Sequence, residues 1–248
     1  MTFPAAPTLA LVAAAALIAG LARGFSGFGG ALIFTPLAAA LVGPRVAAPV
    51  LFLIDAVAAA PLIPKAWKAA QRGAVATMTL GALAGAPLGA WVLLHADPTA
   101  IRWGLSAVVL AMLALLISGW RYAGAPTAPV TIGVGALAGF LSGLAQVGGP
   151  PVVAYWLGGT IPAATVRANI ILFFAATTVV TAVTYSIGGV LTRNVLVIGL
   201  VVGPFYGAGL WLGTHMFAKA NEETFRRACY ALIAVAALLS LPLWDRLR

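Results

Sequence analysis

Two glycine-rich interruptions of long apolar runs are the parts of this sequence best suited to binding a ligand. They are residues 23–30, Arg-Gly-Phe-Ser-Gly-Phe-Gly-Gly, and residues 142–151, Ser-Gly-Leu-Ala-Gln-Val-Gly-Gly-Pro-Pro. Each should be followed by a half-helix, from Gly29 and from Pro150, whose free N–H groups carry about half a positive charge. Two such N-termini that meet near the bilayer midplane would bind an anion with few charged side chains.

Polar side chains near the interruptions complete the candidate anion site. Arg23 could bind an oxyanion in a bidentate way, and reaching for the membrane interface is an equally good interpretation. Asn169 follows Arg167 into the sixth apolar run and is expected to face the cavity. The alternative for the glycines is that they only allow helices to pack closely. The candidate substrate-binding residues are Arg23, Ser26, Gly29, Gly30, Gln146, Gly148, Gly149 and Asn169.

A carboxylate in the middle of an apolar run is a further candidate. Asp55 lies within Val46–Ile63, where a charge is costly and usually has a function. Burial favours the protonated form of a carboxyl group, so Asp55 is a candidate for proton coupling. An ion pair with Arg23 or another cation is an equally good interpretation, because charges inside a membrane usually pair.

The composition indicates that these residues lie in a membrane protein. The 248 residues include 14 Lys or Arg and 5 Asp or Glu, so charged residues are 8% of the chain, against about 25% in soluble domains. With 62% hydrophobic residues and a mean hydropathy of +1.07, the chain is neither a soluble enzyme nor a nucleic-acid binder nor a disordered protein. One cysteine, Cys229, and two histidines, His95 and His215, predict no metal site and no cofactor.

Eight apolar runs must position the candidate residues. A membrane-spanning helix needs roughly 20 residues, and the first run, at about 51 Å as one helix, is too long for a hydrocarbon core of about 30 Å. The sequence therefore predicts an all-α polytopic membrane protein. No positive residue precedes the first run, so we expect it to be a retained membrane segment. The runs are Leu9–Val42, Val46–Ile63, Ala74–Leu94, Ile101–Trp120, Val130–Trp156, Ala168–Ile187, Val195–Phe217 and Phe225–Leu243.

The spacing of the glycines predicts an internal duplication. Four glycines in and just before the first interruption recur 119 positions later in and just before the second, at the same mutual distances. We therefore expect two homologous repeats, residues 1–124 and 125–248, in a single integrated membrane domain. Each repeat would be a broken-helix hairpin followed by three transmembrane helices. The matching glycines are Gly20, Gly24, Gly29 and Gly30 in the first repeat, and Gly139, Gly143, Gly148 and Gly149 in the second.

The positive charges bear on the orientation of the repeats. If the long runs are hairpins, the repeats are inverted and the loop cations divide 8 to 5 between the two sides. If each long run crosses once, the repeats are parallel and the division is 7 to 6. The positive-inside rule favours the inverted arrangement, which puts both termini on the outer side.

The chain resembles the sulfite exporter TauE/SafE family, also called the toluene sulfonate uptake permease family. The resemblance rests on Gly-Phe-Gly-Gly at 27–30, Gly-Gly-Pro at 148–150 preceded by Gln146, Gln-Arg-Gly-Ala-Val at 71–75 and the glycine-rich segment 81–89. It implies a multi-pass carrier of the bacterial inner membrane that moves sulfite, sulfonates or related organosulfur anions, usually outward. Its partners would be that anion and membrane lipid, without nucleic acid, and assembly into a homo-oligomer is left open.

Two other functions compete with an anion carrier. Gly-Phe-Ser-Gly at 24–27 matches the motif around a rhomboid protease nucleophile, but Ser26 needs a histidine base within hydrogen-bonding reach. His95 and His215 lie near the ends of apolar runs, which disfavours this interpretation. A passive anion channel would need a continuous pore, whereas a carrier occludes its ligand. Without a Gly-x-x-x-x-Gly-Lys-Ser/Thr motif, ATP hydrolysis is not expected, and we predict no enzyme.

Overall fold

Both long apolar runs are broken where the glycines predict. In the computed structural model, which describes residues 3–26, 29–124, 126–159, 161–217 and 222–243, the first run forms two helices and so does the fifth. A short 3-10 turn, Ala60–Leu62, joins the third helix to the fourth. The helices are α1 Ala6–Ser26, α2 Gly30–Val42, α3 Pro44–Ala59, α4 Ile63–Ala69, α5 Arg72–His95, α6 Pro98–Ser118, α7 Ala128–Ala145, α8 Gly149–Trp156, α9 Ala163–Ile187, α10 Arg193–Phe217 and α11 Glu222–Ser240.

Seven helical segments of the described chain are long and apolar enough to cross a membrane. They correspond to α1, to α3 continued through α4, and to α5, α6, α7, α9 and α10. The shorter apolar helices include α2. The predicted all-α polytopic membrane fold is therefore confirmed, and the chain is a multi-pass membrane protein.

Local sequence explains where several helices begin. Asp97 precedes α6, and its Oδ1 accepts hydrogen bonds from the backbone N–H groups of Thr99, at 2.9 Å, and Ala100, at 3.0 Å. This is the usual cap of a helix N-terminus. Proline stands in the first turn of α6, α7 and α8, where the missing N–H costs nothing.

The chain folds into two compact units, each of which takes helices from both halves of the sequence. The first unit comprises Met1–Ile54, Ala96–Ile117 and Val190–Arg248, and the second comprises Asp55–His95 and Ser118–Gly189. The broken helix α1–α2 thus shares a unit with α10, and the broken helix α7–α8 shares one with α5. The division into repeats 1–124 and 125–248 and their inverted orientation stay predictions.

In the second unit, α5 and α7 run parallel with their backbones in close approach. A Cβ atom at Gly85 or Gly89 would overlap the carbonyl oxygen of Ala136 or Phe140 on α7, and one at Gly143 would overlap the carbonyl oxygen of Ala86 on α5. Small residues on both helices are therefore required at this contact, as in other membrane helix pairs. Of the two interpretations of the glycines, close packing applies to Gly143.

The first unit contains a similar parallel pair, α1 and α10. A Cβ atom at Gly20 would overlap the Tyr206 carbonyl oxygen, and one at Gly24 would overlap that of Leu210. From the other side, Gly209 faces the carbonyl oxygen of Leu17. Each broken helix is thus held against one unbroken helix of its own unit.

Candidate functional site

The second break is closed by a residue in an unusual backbone conformation. Gln146 caps α7 with φ 63° and ψ 17°, in the left-handed backbone region that residues other than glycine and asparagine rarely adopt. Its Nε2 donates to the Ser142 carbonyl oxygen at 2.8 Å. The Tyr185 hydroxyl donates to the Gly143 carbonyl oxygen at 2.7 Å and also contacts the Gln146 side chain. The Ser142 carbonyl oxygen also accepts the backbone N–H of Gln146 at 3.0 Å, so the Gln146 side chain adds a second bond there. The Tyr185 hydroxyl provides a partner for the Gly143 carbonyl group at the end of the helix.

The N-terminus of α8 packs against α7 at the level of the middle of α5. A Cβ atom at Gly148 would meet the Ala138 carbonyl oxygen and the Ser142 hydroxyl, on the part of α7 that packs against mid-length α5. Gly149 begins α8, and nothing lies within 4 Å of the position its side chain would take. The start of α8 therefore opens at the middle of a membrane-spanning helix, next to free space.

The first turn of α8 has few backbone donors. Pro150 and Pro151 follow Gly149 directly, and proline has no N–H group. No side chain caps the helix at Gly148. The helix dipole remains at this end, but Gly149 is the one residue of the first three that can donate a backbone hydrogen bond.

The first break is built from glycine and an arginine. Gly29 precedes α2 with φ 92°, a conformation that glycine adopts at little cost. A Cβ atom at Gly30 would lie 2.8 Å from the Ala19 carbonyl oxygen and 3.1 Å from the Cβ atom of Arg23, so α2 begins directly against α1. Arg23 is half-buried in the last turn of α1, where a cation interacts favourably with the helix dipole. Gly27, Phe28 and the side chain of Ser26 lie outside the described residues.

A comparison with known protein families identifies the family of this chain. Residues 12–240 match the sulfite exporter TauE/SafE family. The chain belongs to the sulfite exporter TauE/SafE family. The all-α membrane fold described above is therefore that of a member of a membrane transporter family. No curated protein and no solved structure matches the chain.

Asn169 does not join the break in this TauE/SafE family member. Its Oδ1 accepts a hydrogen bond of 2.7 Å from the backbone N–H of Gln71, the residue before α5. Since Gly148 lies at mid-length of α5, the two are separated by roughly 17 Å along the helix axis at about 1.5 Å per residue. The structure thus brings Gln146, Gly148 and Gly149 together and leaves Asn169 at one end of the same unit.

A ridge of buried residues on α9 runs from Asn169 to the second break. Every fourth residue is at most 2% exposed, a row that winds gradually around the helix. Thr177 and Tyr185 hydrogen-bond carbonyl groups. Neither Thr181 Oγ1 nor Asn169 Nδ2 has a hydrogen-bond partner in the described part of the chain. The ridge consists of Asn169, Phe173, Thr177, Thr181 and Tyr185.

Two residues that the sequence analysis did not single out belong to the breaks. Tyr185 and Tyr206 are almost completely buried; Tyr185 bonds the end of α7, and the Tyr206 hydroxyl lies 3.4 Å from the position of a Gly30 Cβ atom. A tyrosine buried in an apolar run needs a partner for its hydroxyl group. That need, together with the four-residue spacing of polar residues on α9, was the available sequence signal.

The remaining candidate residues lie away from the breaks or at helix ends. Asp55 is half-buried in the last part of α3. His95 and His215 are exposed in the last turns of α5 and α10, and each places Nδ1 near the carbonyl oxygen of the tryptophan one turn earlier, at 2.8 and 2.7 Å. Each imidazole is therefore engaged locally, at the end of its helix.

Proposed function

We propose that this protein is a secondary transporter that exports sulfite, sulfonate or related organosulfur anions across a bacterial inner membrane. Support comes from membership of the TauE/SafE family over residues 12–240 and from the two helix breaks. In this proposal the anion binds at the N-termini of α2 and α8, helped by Arg23, Ser26, Gln146 and the glycines of both breaks.

The observation that carries the proposal is the open start of α8 at the level of the middle of α5. A helix N-terminus attracts negative charge through its dipole and its free N–H groups. Irregular backbone at this depth is tolerated where it lines a cavity, and Gly149 has no neighbour within 4 Å on its side-chain side. Such a position suits an anion that must leave water without meeting a strong fixed charge.

The two charged candidates have separate roles in this proposal. Arg23, at the first break, supplies positive charge for an oxyanion. Asp55 carries a proton during the transport cycle, since an ionised carboxylate near the pathway would repel the substrate. Flux would then be driven by the anion gradient or by protons.

The test is uptake of radiolabelled sulfite into proteoliposomes by counterflow, with sulfonates as competitors. The informative variant is Gly149→Leu, because a Cβ atom there meets nothing within 4 Å and the longer side chain would extend into the space at the start of α8. We expect at least a tenfold loss of saturable flux. The matched control is Gly133→Leu on α7 of the same unit, where a Cβ atom also meets nothing within 4 Å. Leucine has the higher helix propensity at both positions, by at most about 1 kcal/mol, and the gain is smaller at Gly149 because it is the first residue of its helix.

Three outcomes would contradict the proposal in different ways. Flux that does not saturate would indicate a passive channel. Equal flux through the Gly149→Leu and Gly133→Leu variants would show that the start of α8 does not line the transport pathway. No flux for sulfite, sulfonates and taurine-derived anions alike would show that the substrate class is wrong.

A further inference from the structure

One end of the second unit concentrates positive charge. The sequence of this unit contains a single acidic residue, Asp55. All of its cationic side chains are exposed. They are Lys65, Lys68, Arg72, Arg121 and Arg167.

Hydrogen bonds and packing gather these cations at the same end. Arg72 begins α5, directly after α4 with its two lysines. The bond between Gln71 and Asn169 brings the start of α9, and with it Arg167, to the start of α5. Tyr122, next to Arg121, donates its N–H to Ala154 near the end of α8, at 3.1 Å. Because α8 returns along α7 from mid-length, its end lies level with the starts of α5 and α7.

A buried amide is fixed at this cationic end. Asn169 is fully buried, and its Oδ1 is held by the Gln71 N–H at 2.7 Å. Since Oδ1 must accept that bond, the orientation of the amide is determined and Nδ2 is a donor. Among the residues that the structure describes, Nδ2 has no hydrogen-bond partner, and leaving a buried donor without one is costly. A ligand atom that accepts hydrogen bonds would remove this cost.

The first turn of α5 provides further donors at the same place. The first N–H groups of a helix have no acceptor within the helix, and Arg72, Gly73 and Ala74 form this turn without a proline. Nothing lies within 4 Å of the position of a side chain at Gly73. The Arg72 guanidinium stacks over Trp67, 5.5 Å from the ring centroid, which keeps its charge close to the turn.

We propose that the start of α5 and the Asn169 amide form a second binding site for a small oxyanion, separate from the breaks. The site binds sulfite or a sulfonate before it moves to mid-depth, and in naming that ligand it rests on the proposed function. Nδ2 of Asn169 and the first-turn N–H groups of α5 bind the oxygen atoms. The five cations raise the local concentration of the anion, as charged vestibules do.

Equilibrium binding of radiolabelled sulfite to the full chain in phosphatidylcholine nanodiscs tests the proposal. We expect two classes of sites in the unmodified protein. Asn169→Asp keeps an oxygen for the Gln71 N–H but replaces the donor with an acceptor, so one class should be lost. Gly149→Leu should remove the other class and leave the Asn169 class intact. This pair separates failure of the second site from failure of the proposed function.

A surface variant keeps the test informative if the buried variant, Asn169→Asp, fails to fold. Arg72→Gln should weaken the class that Asn169→Asp removes by about fivefold, the effect of one surface cation, equivalent to about 1 kcal/mol. Arg193→Gln is the matched control, because Arg193 is the exposed first residue of α10 in the first unit. Binding in the Arg72→Gln and Asn169→Asp variants that equals the unmodified protein would overturn the proposal. Loss of this class when phosphatidylglycerol replaces phosphatidylcholine would assign the site to lipid phosphate and overturn its role in substrate binding.

Discussion

The two helix breaks have the same architecture but different chemistry. In each unit a broken helix runs parallel to one unbroken helix, α1 along α10 and α7 along α5. The half-helix after each break starts at the level of the middle of that unbroken helix. The residue with positive φ at the first break is Gly29, and at the second it is Gln146. A glycine meets this backbone requirement at little cost, whereas a glutamine adds strain and a side-chain amide.

The difference in hydrogen-bond donors runs in the opposite direction. The start of α2 has Gly30 and Ala31, both with an N–H group, and Arg23 lies close by. The start of α8 has Pro150 and Pro151, so its first turn lacks two of these donors. The second break therefore has a neutral amide, Gln146, where the first has backbone N–H groups and a cation. An anion at the first break would therefore meet positive charge, and an anion at the second would meet shape and neutral polarity.

The largest expected difference between the two units is the side of the membrane from which their helix starts can be labelled. Arg72 and Arg193 are the first residues of α5 and α10, and they occupy matching positions in the predicted repeats. In a Cys229→Ser background, which removes the single cysteine, inverted repeats place cysteines introduced at 72 and 193 on opposite sides of the membrane. We expect Arg72→Cys to react with an impermeant maleimide from the cytoplasmic side and Arg193→Cys from the outer side. Reaction of both from one side would establish parallel repeats.

Alanine at the tight glycines is expected to have the next largest effect. A Cβ atom at Gly143 would overlap the Ala86 carbonyl oxygen, so α5 and α7 must move apart at a cost of about 3 kcal/mol, the upper range for overpacking. That corresponds to a fall in melting temperature of roughly 10 °C for a chain of this size. Thermal unfolding in detergent measures the change.

Two further alanine variants extend this comparison, one in each unit. The melting temperature of Gly24→Ala should fall by a similar amount, because its Cβ atom would overlap the Leu210 carbonyl oxygen. Gly149→Ala should unfold at or slightly above the original temperature, because its Cβ atom meets nothing and alanine has the higher helix propensity. A large fall for Gly143→Ala with none for Gly24→Ala would mean that the two helix pairs are not equivalent.

The sequence predicted the fold better than it predicted the site, and the reason lies in the range of the interactions. Helix length, proline position and glycine spacing are local, so the half-helices α2 and α8 begin at Gly30 and Gly149, each within one residue of the predicted starts at Gly29 and Pro150. The place of Asn169 depends on which helix packs beside α9, and its partner Gln71 is 98 residues away. Nothing near Asn169 in the sequence distinguishes mid-depth from the end of α5.

The threonines of α9 show the same limit within a single helix. Thr177 and Thr184 bond the carbonyl group one turn earlier, at 2.9 and 2.8 Å, as threonines in apolar helices are expected to do. Thr181 does not, although its local sequence is equally apolar. The difference arises from the neighbours of each side chain, which sequence periodicity does not specify.

The smallest expected effect, and the most direct comparison of the breaks, comes from Gln146→Gly. This change gives the second break the residue type of the first. Relief of the left-handed backbone conformation, about 1 kcal/mol, should offset the loss of the hydrogen bond to Ser142, also about 1 kcal/mol. The melting temperature should therefore change by no more than a few degrees. Sulfite flux should show a several-fold rise in KM, because the side-chain amide is gone.

The companion variant Gln146→Ala separates strain from bonding. Alanine loses the same hydrogen bond but keeps a Cβ atom at φ 63°, so it should be less stable than Gln146→Gly by about 1 kcal/mol. Equal stability of the two would mean that the backbone at the second break relaxes once the amide is removed. In that case the glutamine side chain, bonded to Ser142 and in contact with Tyr185, would itself hold the break in its left-handed form. The second break would then depend on its side chain, whereas the first depends on a glycine backbone.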